Sequence, residues 1–98
     1  MLKIIQGDSV NLIVTVEAGA DLIDELWITS KYLGISQQLN KLNDTQWMAT
    51  FDTAFTCDCK VCHTSYDLTA ILKDNQVSTV VYEDKICVLK KENTINGN

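Results

Sequence analysis

Proline is absent from the 98 residues, and glycine occurs only four times. Turns must therefore rest mainly on Gly, Asn and Asp, and no X-Pro isomerisation should slow folding. Basic side chains are also scarce, 8 against 13 acids, for a formal charge of −5. Nucleic-acid binders ordinarily carry the opposite balance, because neutralising phosphate supplies most of their affinity. The acidic balance argues against a nucleic-acid partner and equally against an anionic membrane surface. Long apolar runs are missing. Leu12-Ile13-Val14 and Val80-Val81-Tyr82 are typical of what occurs, and a spanning helix needs about 20 apolar residues. Lys3 is soon followed by Gln6-Gly7-Asp8, which breaks the apolar core of any signal peptide. The expectation is a chain that is cytoplasmic when synthesised. No glycine-rich phosphate loop occurs, and the one histidine, His63, has no serine or acid that the sequence sets beside it, so a catalytic triad is not arguable.

What is present reads as β-structure. A hydrophobic content of 46% with 21% charged residues is that of a folded domain with its own core. Leu2-Lys3-Ile4-Ile5 forms a short strand that stops at Gln6-Gly7-Asp8-Ser9. Val10, Leu12, Val14 and Val16 then alternate with Asn11, Ile13, Thr15 and Glu17, the period of a strand with one apolar face. Ala18–Asp21 is a loop. The β-rich residues Trp27, Ile28, Thr29 and Tyr32 favour a strand over Glu25–Tyr32, ended by Gly34. Ser36–Leu42 reads as a more polar strand or a loop, Asn43-Asp44-Thr45 as a turn, and Trp47–Phe51 as another strand. Asp52–Thr64 has no period-two pattern and reads as a loop with at most one helical turn. Tyr66, Leu68, Ala70 and Leu72 form the inward set of the next strand. Lys73–Gln76 is a hairpin turn, Val77–Tyr82 pairs back, and Lys85–Lys91 is the final strand, continuous with it or separated by a kink at Glu83-Asp84.

About seven short strands at such spacing predict an all-β, immunoglobulin-like antiparallel β-sandwich. One domain over residues 1–92 is expected, followed by a polar tail, 93–98. Trp27 or Trp47 suits the tryptophan buried between the sheets. Tyr66 stands where such sandwiches place a corner tyrosine whose hydroxyl ties back to upstream backbone.

One segment lies outside this pattern, Cys57-Asp58-Cys59-Lys60-Val61-Cys62-His63. Residues 59–63 match the C-x-x-C-H haem attachment pattern, but a small sandwich has no enclosed apolar pocket for the ring, and only Met1 and Met48 offer a second axial ligand. Cys57, Cys59, Cys62 and His63 have the number and type of ligands for tetrahedral zinc. Their spacing is poor, and Cys87 is the replacement ligand if its strand passes the loop. The C-x-x-C pair 59/62 would suit thiol redox chemistry, but nothing around it reads as the strand-to-helix setting of such sites. The weightier reading is reduced thiols in a loop, with Cys87 a small buried hydrophobe. No catalytic, cofactor or metal residue is assigned on this basis. Trp27, Tyr32 and Trp47 would make a sugar-binding platform if they shared a face, although core packing accounts for such residues more simply.

The opening Ile4-Ile5-Gln6-Gly7-Asp8-Ser9 and its alternating strand resemble the start of small β-sandwich modules of tailed phages and prophages. The N-terminal domain of the baseplate upper protein family, from phages of Gram-positive bacteria, begins in the same way. Tyr66-Asp67-Leu68-Thr69-Ala70-Ile71-Leu72-Lys73-Asp74 followed by Val77–Val81 is similar to the closing hairpin of those modules. Lys31-Tyr32-Leu33-Gly34-Ile35-Ser36 has the same character. The three cysteines ahead of Tyr66 depart from the polar, glycine-containing loop usual there. The resemblance implies a non-enzymatic virion or prophage structural module of tail or baseplate type. Its partners would be other particle proteins or a second copy of itself, and its location the virion. A small zinc-binding protein and a carbohydrate-binding module are the alternatives from other classes.

Overall fold

The computed structural model describes residues 1–92. Among those residues, alternation of apolar and polar positions becomes eight strands in two sheets. These are β1 (Leu2–Ile5), β2 (Val10–Thr15), β3 (Ile23–Ser30), β4 (Ile35–Gln38), β5 (Asn40–Asn43), β6 (Gln46–Phe51), β7 (Cys62–Leu72) and β8 (Val77–Leu89). Among the described residues a 3-10 turn, Ala20–Leu22, precedes β3, and a short helix, α1 (Thr53–Asp58), lies between β6 and β7. The five-stranded sheet runs β1-β8-β7-β3-β4 and the three-stranded sheet β2-β6-β5. In immunoglobulin lettering this is A′-G-F-C-C′ facing B-E-D, so the sandwich is immunoglobulin-like.

The core is made by the inward positions of each strand. Leu26 and Ile28 of β3, Leu68 and Ala70 of β7, and Ile86 and Val88 of β8 are nearly or fully buried. They face Trp47, Ala49 and Phe51 of β6, also buried. The intersheet tryptophan is Trp47, 2% exposed. Trp27 is only half-buried, and its indole Nε1 donates to Glu25 on its own strand. The buried Ser30 hydroxyl donates to the Ser65 carbonyl at 2.8 Å, so a polar atom at the end of the apolar row is satisfied.

Several expectations are corrected. The sheet is not wholly antiparallel, because β1 pairs parallel with β8, Ile4 opposite Val88. The turn after β1 carries the chain to the other sheet, which leaves β1 beside the last strand rather than beside β2. Ser36–Leu42 is neither one strand nor a loop. It is split into β4 and β5, which belong to different sheets. Leu39 is the crossing point, its side chain buried and its N–H bonded to the Leu26 carbonyl at 2.7 Å. The strand placed at Glu25–Tyr32 begins and ends two residues earlier, and Gly34, at φ 68°, serves the turn that follows. β7 begins at Cys62, so Cys62, His63 and Thr64 are strand rather than loop. Of the two alternatives for the last strand the continuous one holds: β8 runs through Glu83-Asp84, with Glu83 in the left-handed region at φ 52° and the pairing with β7 shifting register between Asp84 and Val81 and again between Val81 and Thr79. That is a bulge rather than a break. The expected tail, 93–98, lies outside the described residues.

Candidate functional site

The only sequence segment with chemical potential is the corner around α1. Asp52 caps the helix by accepting from the Phe55 N–H at 2.8 Å. Thr56, fully buried, ties the corner to the β1–β2 turn: its hydroxyl donates to the Asp8 carbonyl at 2.9 Å and accepts from the Gly7 N–H at 3.1 Å. The Gln6 amide donates to the Cys59 carbonyl at 2.7 Å. These bonds hold the corner, and the cysteines occupy whatever directions the backbone then gives them.

Those directions diverge. Cys57 is exposed on α1 and Cys59 is buried at the helix C-terminus, its Sγ 3.4 Å from the Phe55 carbonyl. Burial raises the Cys59 thiol above its ordinary pKa, and Cys62 and Asp58 add to the effect. The thiol is thus held protonated, opposite to what an activated nucleophile or metal ligand needs. Cys62 and His63 are successive residues of β7 and point to opposite faces of the sheet. Cys62 lies opposite Val88 of the core row, whereas His63 lies opposite Cys87. The approach of Cys87 to the cluster is therefore to His63 alone, with Nε2 4.0 Å from Sγ. Lys3 of β1 flanks Cys87 on the other side. Among the described residues, no three His, Cys, Asp or Glu side chains form a group able to hold a metal ion. The set Cys57, Cys59, Cys62, His63 is split by strand alternation, and the C-x-x-C-H run is divided in the same way.

The aromatic platform is not assembled either. Trp47 is in the core, Trp27 lies on β3, and Tyr32 is exposed in the β3–β4 turn. Tyr32 does line a shallow cleft of about 350 Å³ with Leu33, Phe55, Asp58, Cys59 and Lys60. It contributes the cleft's only aromatic group besides Phe55.

Tyr66 is buried as expected, but its partner differs. The hydroxyl donates to the Asp84 carboxylate of β8 at 2.8 Å rather than to upstream backbone. Burial and this carboxylate push the Tyr66 pKa up to about 12. The same bond, helped by the Lys85 N–H, holds Asp84 below its ordinary value. The N-terminal ammonium also stands 3.6 Å from Asp84.

Exposed strand edges are expected of any sandwich, and what sequence reasoning missed is which edges they are. β1 covers β8 only from Ile86 to Leu89. Among the described residues no strand lies beside Val77–Tyr82 on that side. Val77 and Tyr82 are 69% and 72% exposed there, and Val80 is exposed too. β2 is likewise an edge, bonded among the described residues to β6 alone. No helix among the described residues is long and apolar enough to cross a membrane. Comparison with family models, characterised proteins and solved structures yields no match to this chain.

Proposed function

We propose that this protein is a non-enzymatic assembly module, of the kind that builds phage tails or baseplates, and that it works by docking other particle proteins. The observation that carries the reading is the distal β7–β8 hairpin. Val77-Ser78-Thr79-Val80-Val81-Tyr82 carries no charge in a chain of net −5, and it leaves both backbone and apolar side chains without cover. Edge strands of soluble proteins are usually blunted by charge or proline, because they otherwise recruit a further strand. The Glu83 bulge limits the run at one end, and the Lys73–Gln76 turn limits it at the other. A short partner strand would fit between them, following the irregularity that the β7 pairing shows at Val80, with main-chain bonds giving affinity and the side-chain rows giving specificity. The resemblance of the opening strand and closing hairpin to phage modules supplies the particle setting.

Mass spectrometry of purified tail particles from the producing strain tests this. The expected result is the chain present in fixed ratio to other tail proteins, with Val80→Lys/Tyr82→Lys folded but absent from particles. Particles free of the wild-type chain would overturn the reading.

A further inference from the structure

β2 differs from the β8 edge in being regular. Its pairing with β6 runs from Val10 opposite Phe51 to Thr15 opposite Gln46 without a register shift, and Val16 extends it through a bond to the Thr45 carbonyl. Its inward aliphatics Val10, Leu12, Val14 and Val16 touch the core but are each only partly buried. The sandwich is therefore open along this side. On the outward row, Ile13 stands 54% exposed between Asn11 and Thr15.

The row also has a symmetry. From Val10 to Val16 it reads apolar, polar, apolar, apolar, apolar, polar, apolar about Ile13. We infer that β2 pairs antiparallel with the β2 of a second copy of this chain, about a two-fold axis at Ile13, joining two three-stranded sheets into one of six. In that register Leu12 meets Val14, Val10 meets Val16, Asn11 meets Thr15, and Ile13 meets its own counterpart. Every pair lies on one face of the joined sheet and is matched in polarity. Any shift by one residue would set the inward row of one copy against the outward row of the other.

Charge supports a second copy as the occupant. Ser9 to Val16 carries no charge, so two acidic chains meet there without like charges directly opposed. Glu17 of each copy falls opposite Ser9 of the other, next to Asp8, whose charge Lys91 already bridges at 2.6 Å. The contact is small: seven residues from each copy, against about 20–30 a side in a standard interface. The pairing is accordingly weak in dilute solution and favoured where copies are concentrated.

The pairing deepens the assembly reading but uses a different edge, so the two can fail separately. Sedimentation velocity over a concentration series tests it on the full chain, with Ile13→Lys as the disrupting variant and Val80→Lys as the control. Ile13 is exposed, so its replacement leaves the monomer folded, which circular dichroism checks. The expected result is a concentration-dependent dimer, weakened at least about tenfold by Ile13→Lys and unchanged by Val80→Lys. Amide exchange should show the β2 N–H groups that face away from β6 gaining protection as dimer forms. A wild-type chain that stays monomeric at the highest concentration would overturn the pairing, and so would a dimer indifferent to Ile13→Lys. A monomer that still enters tail particles would sink the two-fold contact and leave the docking of other proteins standing.

Discussion

The Tyr66–Asp84 bond sets a pH window. A tyrosine raised to about 12 in the fold and near 10 in the unfolded chain binds more protons when folded between those values. Stability therefore falls as pH rises from about 10 to about 12. Asp84 acts at the acid end. Its folded pKa is depressed, so its contribution is present above its ordinary carboxylate value and is lost as pH falls through the depressed one. Tyr66→Phe should flatten the alkaline decline, and should cost about 1 kcal/mol at neutral pH for the lost hydrogen bond to a half-exposed carboxylate. Urea midpoints at pH 7 and across the alkaline range check both. Thr56→Val is the more damaging exchange. The hydroxyl is fully buried, and removing it leaves the Gly7 N–H without its partner, a loss of about 1–3 kcal/mol readable from the same midpoints. The thiols are the opposite case. Cys59→Ser and Cys62→Ser should leave metal content unchanged and near zero by elemental analysis. One equivalent of zinc that vanishes in the variants would reverse that expectation.

Element type was legible wherever period-two alternation was clean. β2, β6 and β7 follow directly from their rows Val10/Leu12/Val14, Trp47/Ala49/Phe51 and Tyr66/Leu68/Ala70. What could not be read was partnership. Nothing between Ile35 and Asn43 signals that the chain changes sheets at Leu39, because that depends on a backbone bond to Leu26, in another strand. The start of β7 was hidden for a related reason. Cys62 and His63 are shaped as a strand by pairing with Val88 and Cys87, which lie 24 or more residues away. The candidate site suffered most from this. Four ligating residues within seven positions look like a cluster in one dimension, but a helix end followed by a strand sends them in different directions. The intersheet tryptophan was narrowed to two positions, and only packing decided for Trp47. Trp47→Ala should cost about 3–5 kcal/mol, enough to unfold a domain of this size at moderate temperature, as a thermal melt would show.

At the scale of the molecule, the sandwich has a tight centre and, among the edges of its two sheets in the described residues, two uncharged runs of six residues. One is the uncharged β8 run beyond the reach of β1, and the other is the regular β2 edge with its half-covered valines and leucine. A soluble monomer with no assembly role gains nothing from leaving both unguarded, whereas a particle component gains two places to be joined. Incorporation of the chain into tail particles is the measurement that bears most directly on this account. Mass spectrometry of purified particles should find the wild-type chain in fixed proportion to its neighbours and the folded Val80→Lys/Tyr82→Lys variant missing. Particles that lack the wild-type chain, or that take up the variant equally well, would contradict it.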